Sequence, residues 1–551
     1  MQADVRAPNK RDLKKQIKAR EEEEKRLESQ PVATPDARVM INVSHRYLHE
    51  MIADAWDAEL GRTIDVHSLF ASDGRVVRLM RRRGGVRIAE VSQAGLQNRL
   101  EQIALWCRFA PKADGAGFDT KPAKPPKEIM SMMLDAPHPG LPELDAVVTT
   151  PVFGASGKLI ARPGYHAEDR VWYATEGLIV DDVPQAPTAA DVACAKKMIA
   201  EDLFGDFPFA TPSDLTHCIG CTVQSFVRRM ISGPTPLYLV ESPTPGTGKS
   251  LISGAVSTVA LGRAIKPTIF DNDDAEVRKK ITTLLVEGER IILVDNIRGG
   301  IDSAAWAAVL TADEWSDRLL GTNGSVTADN HATWIATANN PKVTTEIARR
   351  VARIRVVSQE ENPEERTGFR HPHLLTWASE HRAELVWSVL VLVRAWQAAG
   401  SKPGEGTLGS YEGWVRVIGG ILQHAGFTGF LESTRKLKAI ADTEGAELRA
   451  FVGAWYAEHK KEPVTVSQLL TLATRGEGLL ASTLTGDNDK SHKAKLGKVL
   501  GKLRDRVFDV GPKAAPMTVQ IRMVPDSHAK ANRYRLAAPN EQDPGEEGAR
   551  A

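Results

Sequence analysis

Short apolar runs bounded by turns recur in the middle of the chain, at Leu237–Glu241, Arg290–Asp295 and Thr333–Ala338. Runs of this length without polar alternation predict strands of a parallel sheet buried on both faces, with helical patterns between them as crossovers. Leu374–Ala399 and Tyr411–His424 carry helical patterns beyond this core. Upstream, a helix at His45–Leu60, a strand at Val76–Leu79, a helix at Ala94–Trp106 and strands in Val147–Tyr165 around a turn at Ala155–Gly157 predict an α+β region. Residues 111–128 (Pro, Lys, Gly) read as a loop, the Pro/Asp stretch near 181–188 as a linker, and 189–233 as helical. Downstream, helices at Val464–Thr474 and His492–Arg504 precede strands at Thr518–Met523 and Arg533–Leu536, an order that fits a winged helix. No internal repeat is evident.

Composition changes this picture little. The 551 residues suffice for three or four domains. With 71 basic and 70 acidic residues the formal charge is +1. A nucleic-acid binder needs a local basic patch, so the balance argues neither way. Four cysteines build no disulfide framework, which points to a reducing cytoplasm, here that of a bacterial host. Cys218 and Cys221 form one CxxC beside His217 without a second pair, so they read as small apolar residues on a helix rather than a zinc site. The charged N-terminus has no signal-peptide core. The apolar stretch around Leu385–Trp396 is broken by Arg394 and too short for a bilayer, so no membrane partner is expected. Lys10–Glu28 is helix-forming but lacks an apolar stripe. Arg81, Arg82 and Arg83 read as a solvated turn, with phosphate contact as the alternative.

Chemistry enters where the first strand ends. Leu237–Glu241 runs into Ser-Pro-Thr-Pro-Gly-Thr-Gly-Lys-Ser-Leu, a glycine loop opening a helix. Gly246 and Gly248 let backbone N–H groups turn towards phosphate, and the helix adds its positive end. The expected nucleotide contacts are Pro245, Gly246, Thr247, Gly248, Lys249, Ser250 and Leu251. Lys249 is placed to reach the β and γ phosphates of ATP, and Ser250 to hold Mg²⁺. The loop departs from G-x-x-x-x-G-K-[ST] at its first position, Pro243, while PGTGKS is intact. Asp295 closes the next apolar run, 46 residues after Lys249, and is the expected second holder of Mg²⁺. Asn296 follows where a carboxylate base is common, so the base is left to Asp302, Asp313 or Glu314, or hydrolysis is slow. The third strand ends in Asn339 and Asn340; Asn339 is the first choice for a γ-phosphate sensor. In EIARRVARIRV, Arg350 is the first candidate for an arginine acting on a neighbouring subunit's nucleotide and Arg349 the alternate. Arg353 and Arg355 read as a solvated strand face.

The order of these elements resembles the AAA+ ATPases. LVDNI (293–297), SDRLLG (316–321), WIATANN (334–340), EIARRVARIRV (346–356), PEERTGFRHPHL (363–374) and LGSYEGW (408–414) are similar to the superfamily III and poxvirus-type primase-helicase branch, and to helicase-like replication proteins of phages and mobile elements. The resemblance implies a homo-oligomeric, hexameric, DNA-stimulated ATPase that unwinds DNA, with a primase supplied separately, and Asp-Asn as a frequent form of its metal motif. The expected fold is multidomain α/β: a charged disordered tail at 1–38, an N-terminal α+β accessory domain at 39–185, an AAA+ P-loop core with parallel sheet and helical lead-in at 186–365, a helical lid at 366–460, a C-terminal winged helix at 461–537 and an acidic tail at 538–551.

Two regions are expected to touch DNA. Arg318–Thr327 reads as a hairpin with Arg318 as its clear charge. His492–Arg506 carries Lys493, Lys495, Lys498 and Lys502 opposite an apolar stripe of Leu496, Val499, Leu500 and Leu503. Three functional readings follow: a replicative helicase or translocase, a non-unwinding initiator or loader that uses ATP as an assembly switch, and a slow regulatory ATPase.

Overall fold

The structure is a computed structural model that describes residues 38–82, 85–112, 117–270, 273–297, 300–301, 303–318, 324–475, 478–480, 484, 488–510, 517–525, 532–539 and 541. Residues 1–37 and 542–551, Arg83 and Asp302 lie outside them. The chain divides into two compact units. One holds the chain up to Val147 together with Gly164–Trp172, and the other holds the rest.

In the first unit, β1 (Val39–Asn42) and α1 (Leu48–Leu60) precede an antiparallel meander of β2 (Leu69–Ser72), β3 (Arg75–Arg82) and β4 (Gly85–Glu90). Next come α2 (Gln93–Ile103), β5 (Ala104–Pro111), β6 (Phe118–Pro122) and α3 (Lys127–Asp135). β5 pairs parallel with β1 and antiparallel with β6. Three readings are corrected here. The helix expected through Trp106 ends at Ile103, because Ala104–Cys107 take up strand pairing with β1, some 65 residues earlier in the chain, a long-range contact that local periodicity does not show. The stretch read as a loop over 111–128 contains β6. Arg81 and Arg82 are strand residues paired with β4, not a turn. The core gathers Ile41, Trp56, Leu100, Trp106, Ile129 and Met133. Within it, Arg99 Nε donates to Glu59 Oε2 at 2.8 Å, and Glu59 Oε1 accepts the Leu69 amide at 2.8 Å.

The second unit is multidomain α/β in character. α4 (Ala189–Lys196) starts behind a Thr188/Asp191 capping box, and α5 (Pro212–Val227) has proline in its first turn, where no amide partner is needed. β7 (Leu237–Ser242), α6 (Lys249–Leu261), α7 (Asp274–Val286) and β8 (Ile291–Ile297) follow. Then come the hairpin β9 (Glu314–Arg318)/β10 (Ser325–Asp329), β11 (Thr333–Asn339) and β12 (Val351–Arg355). The central sheet has the order β8-β11-β7-β12, all parallel, and Thr268 bridges to the outer side of β8 at Val294. Alternate side chains feed two separate cores: Tyr238, Val240, Leu293, Ile335 and Ile354 on one face, Leu239, Ile292, Val294, Trp334 and Ala336 on the other. This two-sided burial is why the strands read as unbroken apolar runs.

The helical run expected at Leu374–Ala399 is two helices, α8 (Leu374–Glu380) and α9 (Arg382–Ala398), and α10 (Glu432–Ala441) packs on β12. At the C-terminal end, α11 (Thr443–His459), α12 (Val466–Ala473) and α13 (Asp489–Lys502) share a core with an antiparallel sheet of β13 (Val507–Val510), β14 (Met517–Pro525) and β15 (Asn532–Ala537), joined at the edge by Val464–Thr465. No described helix is long and apolar enough to cross a membrane.

Candidate functional site

β7 stops at Ser242 and the chain turns through Pro243–Gly248 into α6. Gly246 (φ 76°) and Gly248 (φ 87°) are left-handed, a backbone that side chains strain. Space is tight as well: at Gly246 a Cβ would lie 2.6 Å from Glu364 Oε2, the movable end of a side chain, and at Gly248 3.0 Å from the Phe207 ring. The Lys249 amine folds across the loop, donating to Thr244 O at 3.3 Å and Thr247 Oγ1 at 3.4 Å. Burial lowers its pKa from the ordinary lysine value, and Asp295 acts in the opposite sense. α6 runs on to Gly262, so the loop stands at its N-terminus with unsatisfied amides and a positive dipole end.

The strand tips meet beside this loop. Ser242 pairs with Asn339, and Asn340 N donates to Ser242 O at 3.0 Å. Ser250 Oγ donates to Asp295 Oδ1 at 3.2 Å, and Thr337 Oγ1 donates a short bond to the same oxygen. An irregularity in β8 after Val294 turns the chain, so that Asn296 (φ 56°) is exposed while its amide donates to Thr337 Oγ1 at 2.8 Å. Asn339 and Asn340 are exposed at the same edge. Lys249, Ser250, Asp295, Asn296 and Asn339 thus converge at the carboxyl ends of adjacent parallel strands, the usual ligand crevice of such sheets. Thr337 was not singled out from the sequence. Its hydroxyl gains a role only through the adjacency of β8 and β11.

The arginines separate. Arg350 is turned back on its own turn, with its guanidinium on Glu346 O at 2.6 Å and Glu346 Oε1 at 3.3 Å. Arg349 is exposed and makes no side-chain hydrogen bond or ion pair to a described residue. Arg353 and Arg355 are not a solvated face. Both reach Glu241 Oε1, Arg353 Nε and Arg355 Nη1 each at 2.8 Å, and Arg353 is 6% exposed. Glu241 is two residues before the phosphate-type loop, so β7 and β12 are locked by charge where the loop begins.

Of the carboxylates weighed as a base, Asp302 lies outside the described residues. Asp313 and Glu314 are at the wrong end of the sheet: Glu314 pairs with Asp329, and the Asp313 carbonyl holds Asn330, just before β11 starts, whereas Asp295 and Asn339 mark where strands end. A further carboxylate beside the loop is that of Glu364, against Gly246, which sequence reasoning missed.

The hairpin around Arg318 forms as expected, with Arg318 exposed and residues 319–323 outside the described set. Trp315 Nε1 donates to Thr282 Oγ1 at 2.9 Å and Asp317 pairs with Arg278 at 3.0 Å, which docks the hairpin on α7. On α13 and just after it, Leu496, Leu500 and Leu503 are buried, and Lys493, Lys498 and Lys502 are exposed, with Lys495 half-buried. Cys218 and Cys221 are buried on α5, where burial pushes both thiols up. Among the described residues no cluster of His, Cys, Asp and Glu has metal-holding geometry.

No protein-family model matches the chain, and no curated protein sequence matches it. Among solved structures, it is similar to the apo A form of the NrS-1 C-terminal region, with 10% identity, TM-score 0.42, and coverage of 85% of this chain and 96% of that one. A second A-form structure of that region, residues 305–718, gives 8% identity and TM-score 0.41, covering 86% and 96%. A JCV helicase with a bound thiazolopyridine compound gives 12% identity and TM-score 0.21, covering 47% and 62%.

Proposed function

We propose that the chain is an ATP-dependent DNA motor of the AAA+ kind, a helicase or translocase of a phage or mobile-element replication system. The observation that carries the reading is the Ser250–Asp295–Thr337 cluster at the carboxyl ends of three adjacent parallel strands, beside a glycine loop whose Gly246 and Gly248 are left-handed. The donor set fits MgATP: loop amides and Lys249 for the phosphates, Ser250 and Asp295 for Mg²⁺. Mg²⁺ held by Ser250 and Asp295 would offset the negative charge of the phosphates. Thr337 holds Asp295 in place, Asn339 is the γ-phosphate sensor, and Asn296 orients water without taking its proton. Arg349 is the better-placed arginine for a neighbour's nucleotide, because it is exposed while Arg350 is engaged by Glu346.

The motor acts as a homo-oligomeric ring, hexameric in this reading, in the bacterial cytoplasm, with Arg318 and the α13 lysines as DNA contacts and a separate primase as partner. The helices α11–α13 with the β13–β15 sheet serve as a winged helix. A second reading, an initiator or loader that uses ATP as an assembly switch, is favoured by Asn296 standing where a base is expected. The deciding measurement is ATP hydrolysis with and without single-stranded DNA, beside Lys249→Ala. Strong stimulation lost in the variant supports the motor. Slow turnover indifferent to DNA, with ATP still bound, supports the switch.

A further inference from the structure

The hairpin of β5 and β6 leaves two aromatic rings in water. Phe109 is 44% exposed and Phe118 65% exposed. Phe109 pairs with Thr120 and Phe118 with Pro111, so the rings are diagonal neighbours on one face. On the other face Arg108 stands directly opposite Lys121. Like charges directly opposed across two strands cost stability, and none of Arg108, Lys112, Lys121 and Lys124 makes a side-chain hydrogen bond or ion pair to a described residue. The described acid on the ribbon is Asp119, one carboxylate against four cations. Exposed lysines alone are ordinary solvated surface. Unpaired cations that face one another across a ribbon bearing two wet phenyl rings are not, because both features are unfavourable in the isolated protein and are relieved together by one kind of ligand. A single nucleic-acid strand offers unpaired base faces to the rings and phosphates to the cations.

We propose that this ribbon binds single-stranded DNA, with bases stacked on Phe109 and Phe118 and phosphates held by Arg108, Lys121 and the flanking Lys112 and Lys124. In this proposal the long, flexible stems of the exposed cations carry their charges past the strand edges, so that one nucleic-acid strand wraps the ribbon and meets both faces. The argument does not use the nucleotide site. The choice of DNA over RNA alone rests on the motor reading.

The test uses the full chain and fluorescein-labelled dT30, with binding read by anisotropy over a salt series. Phe109→Ala/Phe118→Ala should weaken binding about tenfold without changing the salt slope, and Phe109→Tyr/Phe118→Tyr should restore it. Arg108→Gln/Lys121→Gln should lower the log–log salt slope by about 1.4. Bromodeoxyuridine in the oligonucleotide should crosslink to the peptide 105–124, in Lys249→Ala as in the parent, so that a dead ATPase and a failed ribbon give different results. Unchanged affinity in both variants with crosslinks confined to other peptides would overturn the proposal. Tighter binding of rU30 than of dT30 would overturn the choice of DNA. Capture of a protein by the rings, with DNA binding intact in the alanine variant, would overturn it as well.

Discussion

Trp414 Nε1 donates to Gln224 Oε1 at 2.9 Å, joining the helix after the core to the helix before it. The same oxygen accepts the Tyr238 hydroxyl of β7 at 2.9 Å, and Gln224 Nε2 donates to Thr235 Oγ1 and to Thr333 Oγ1 of β11, each at 3.1 Å. All four hydrogen-bonding positions of a fully buried amide are therefore filled, by partners from both central strands. Gln224→Leu removes a partner from three buried hydroxyls, those of Tyr238, Thr235 and Thr333, while the Trp414 indole N–H keeps the Tyr238 oxygen at 3.0 Å. We expect a loss of about 2–4 kcal/mol in urea unfolding. Trp414→Phe, which removes one donor, should cost about 1 kcal/mol. A Gln224→Leu variant as stable as the parent would mean that water relieves the site.

Gly413 explains why the segment around Trp414 tolerates no side chain there. A Cβ would lie 2.0 Å from Ser232 O, a backbone atom with nowhere to go. Gly413→Ala should give insoluble or strongly destabilised protein. Gly497 and Gly501 in α13 have nothing within 4 Å of an added Cβ and are not left-handed. Gly497→Ala should therefore stabilise by about 0.5–1 kcal/mol, the usual helix-interior gain. Thermal melting of the two variants side by side checks both signs.

His217 is fully buried between β12 and the start of α10. Its Nδ1 lies 2.7 Å from Arg353 O, and its Nε2 accepts the Leu431 amide at 3.1 Å. A carbonyl needs a donor and an amide an acceptor, so the ring is neutral with its proton on Nδ1. Burial lowers its pKa below the ordinary 6.5, against the pull of Asp214. The folded state resists the proton and the unfolded state accepts it, so stability is full above pH 6.5 and falls as pH drops below it. The limiting slope for one group is about 1.4 kcal/mol per pH unit. Urea midpoints at pH 7.5 and 5.5 should differ in the parent, and the part due to this group should vanish in His217→Gln. An equal acid loss in the variant would shift the cause to other groups.

Three of the four parallel strands were legible because each is apolar on both faces, and the loop because Gly246, Gly248, Lys249 and Ser250 fall within five consecutive residues. Arg353 and Arg355 were misread because their period-two spacing matches a wet strand face. What reverses it is Glu241, 112 residues earlier, which becomes a neighbour only when β12 pairs with β7. The helix expected through Trp106 failed for the same kind of reason, a strand partner distant in the chain. Glu364 and Phe207 reach the loop from segments on either side of the core, and no local spacing announces them.

Thr337 tests the site without touching the phosphates. Its hydroxyl donates to Asp295 and accepts the Asn296 amide at 2.8 Å, so it fixes the two residues at the tip of β8 at once. Thr337→Val keeps the shape and removes the donor. Nucleotide affinity should stay within about twofold, while kcat for ATP falls about tenfold or more, the signature of lost positioning. Thr337→Ser should recover most of it. A Thr337→Val enzyme with parental kcat would show that Asp295 does not depend on this bond.

The assignment of Arg349 over Arg350 has a test of its own. Arg349 is exposed, whereas Arg350 has 13% of its side chain exposed and is paired with Glu346. An arginine that completes a neighbour's site contributes on the order of 10³-fold to turnover. Arg349→Ala should therefore bind ATP and hydrolyse it very slowly. Lys249→Ala, with its own site dead, still presents Arg349. Mixing the two inactive proteins should restore a fraction of the activity, because some interfaces pair an intact site with an intact arginine. Arg350→Ala should instead lose stability along with the Glu346 contact, and its mixture with Lys249→Ala should gain little. Restoration with Arg350→Ala but not with Arg349→Ala would reverse the assignment. No restoration in either mixture would place the arginine's action within its own subunit.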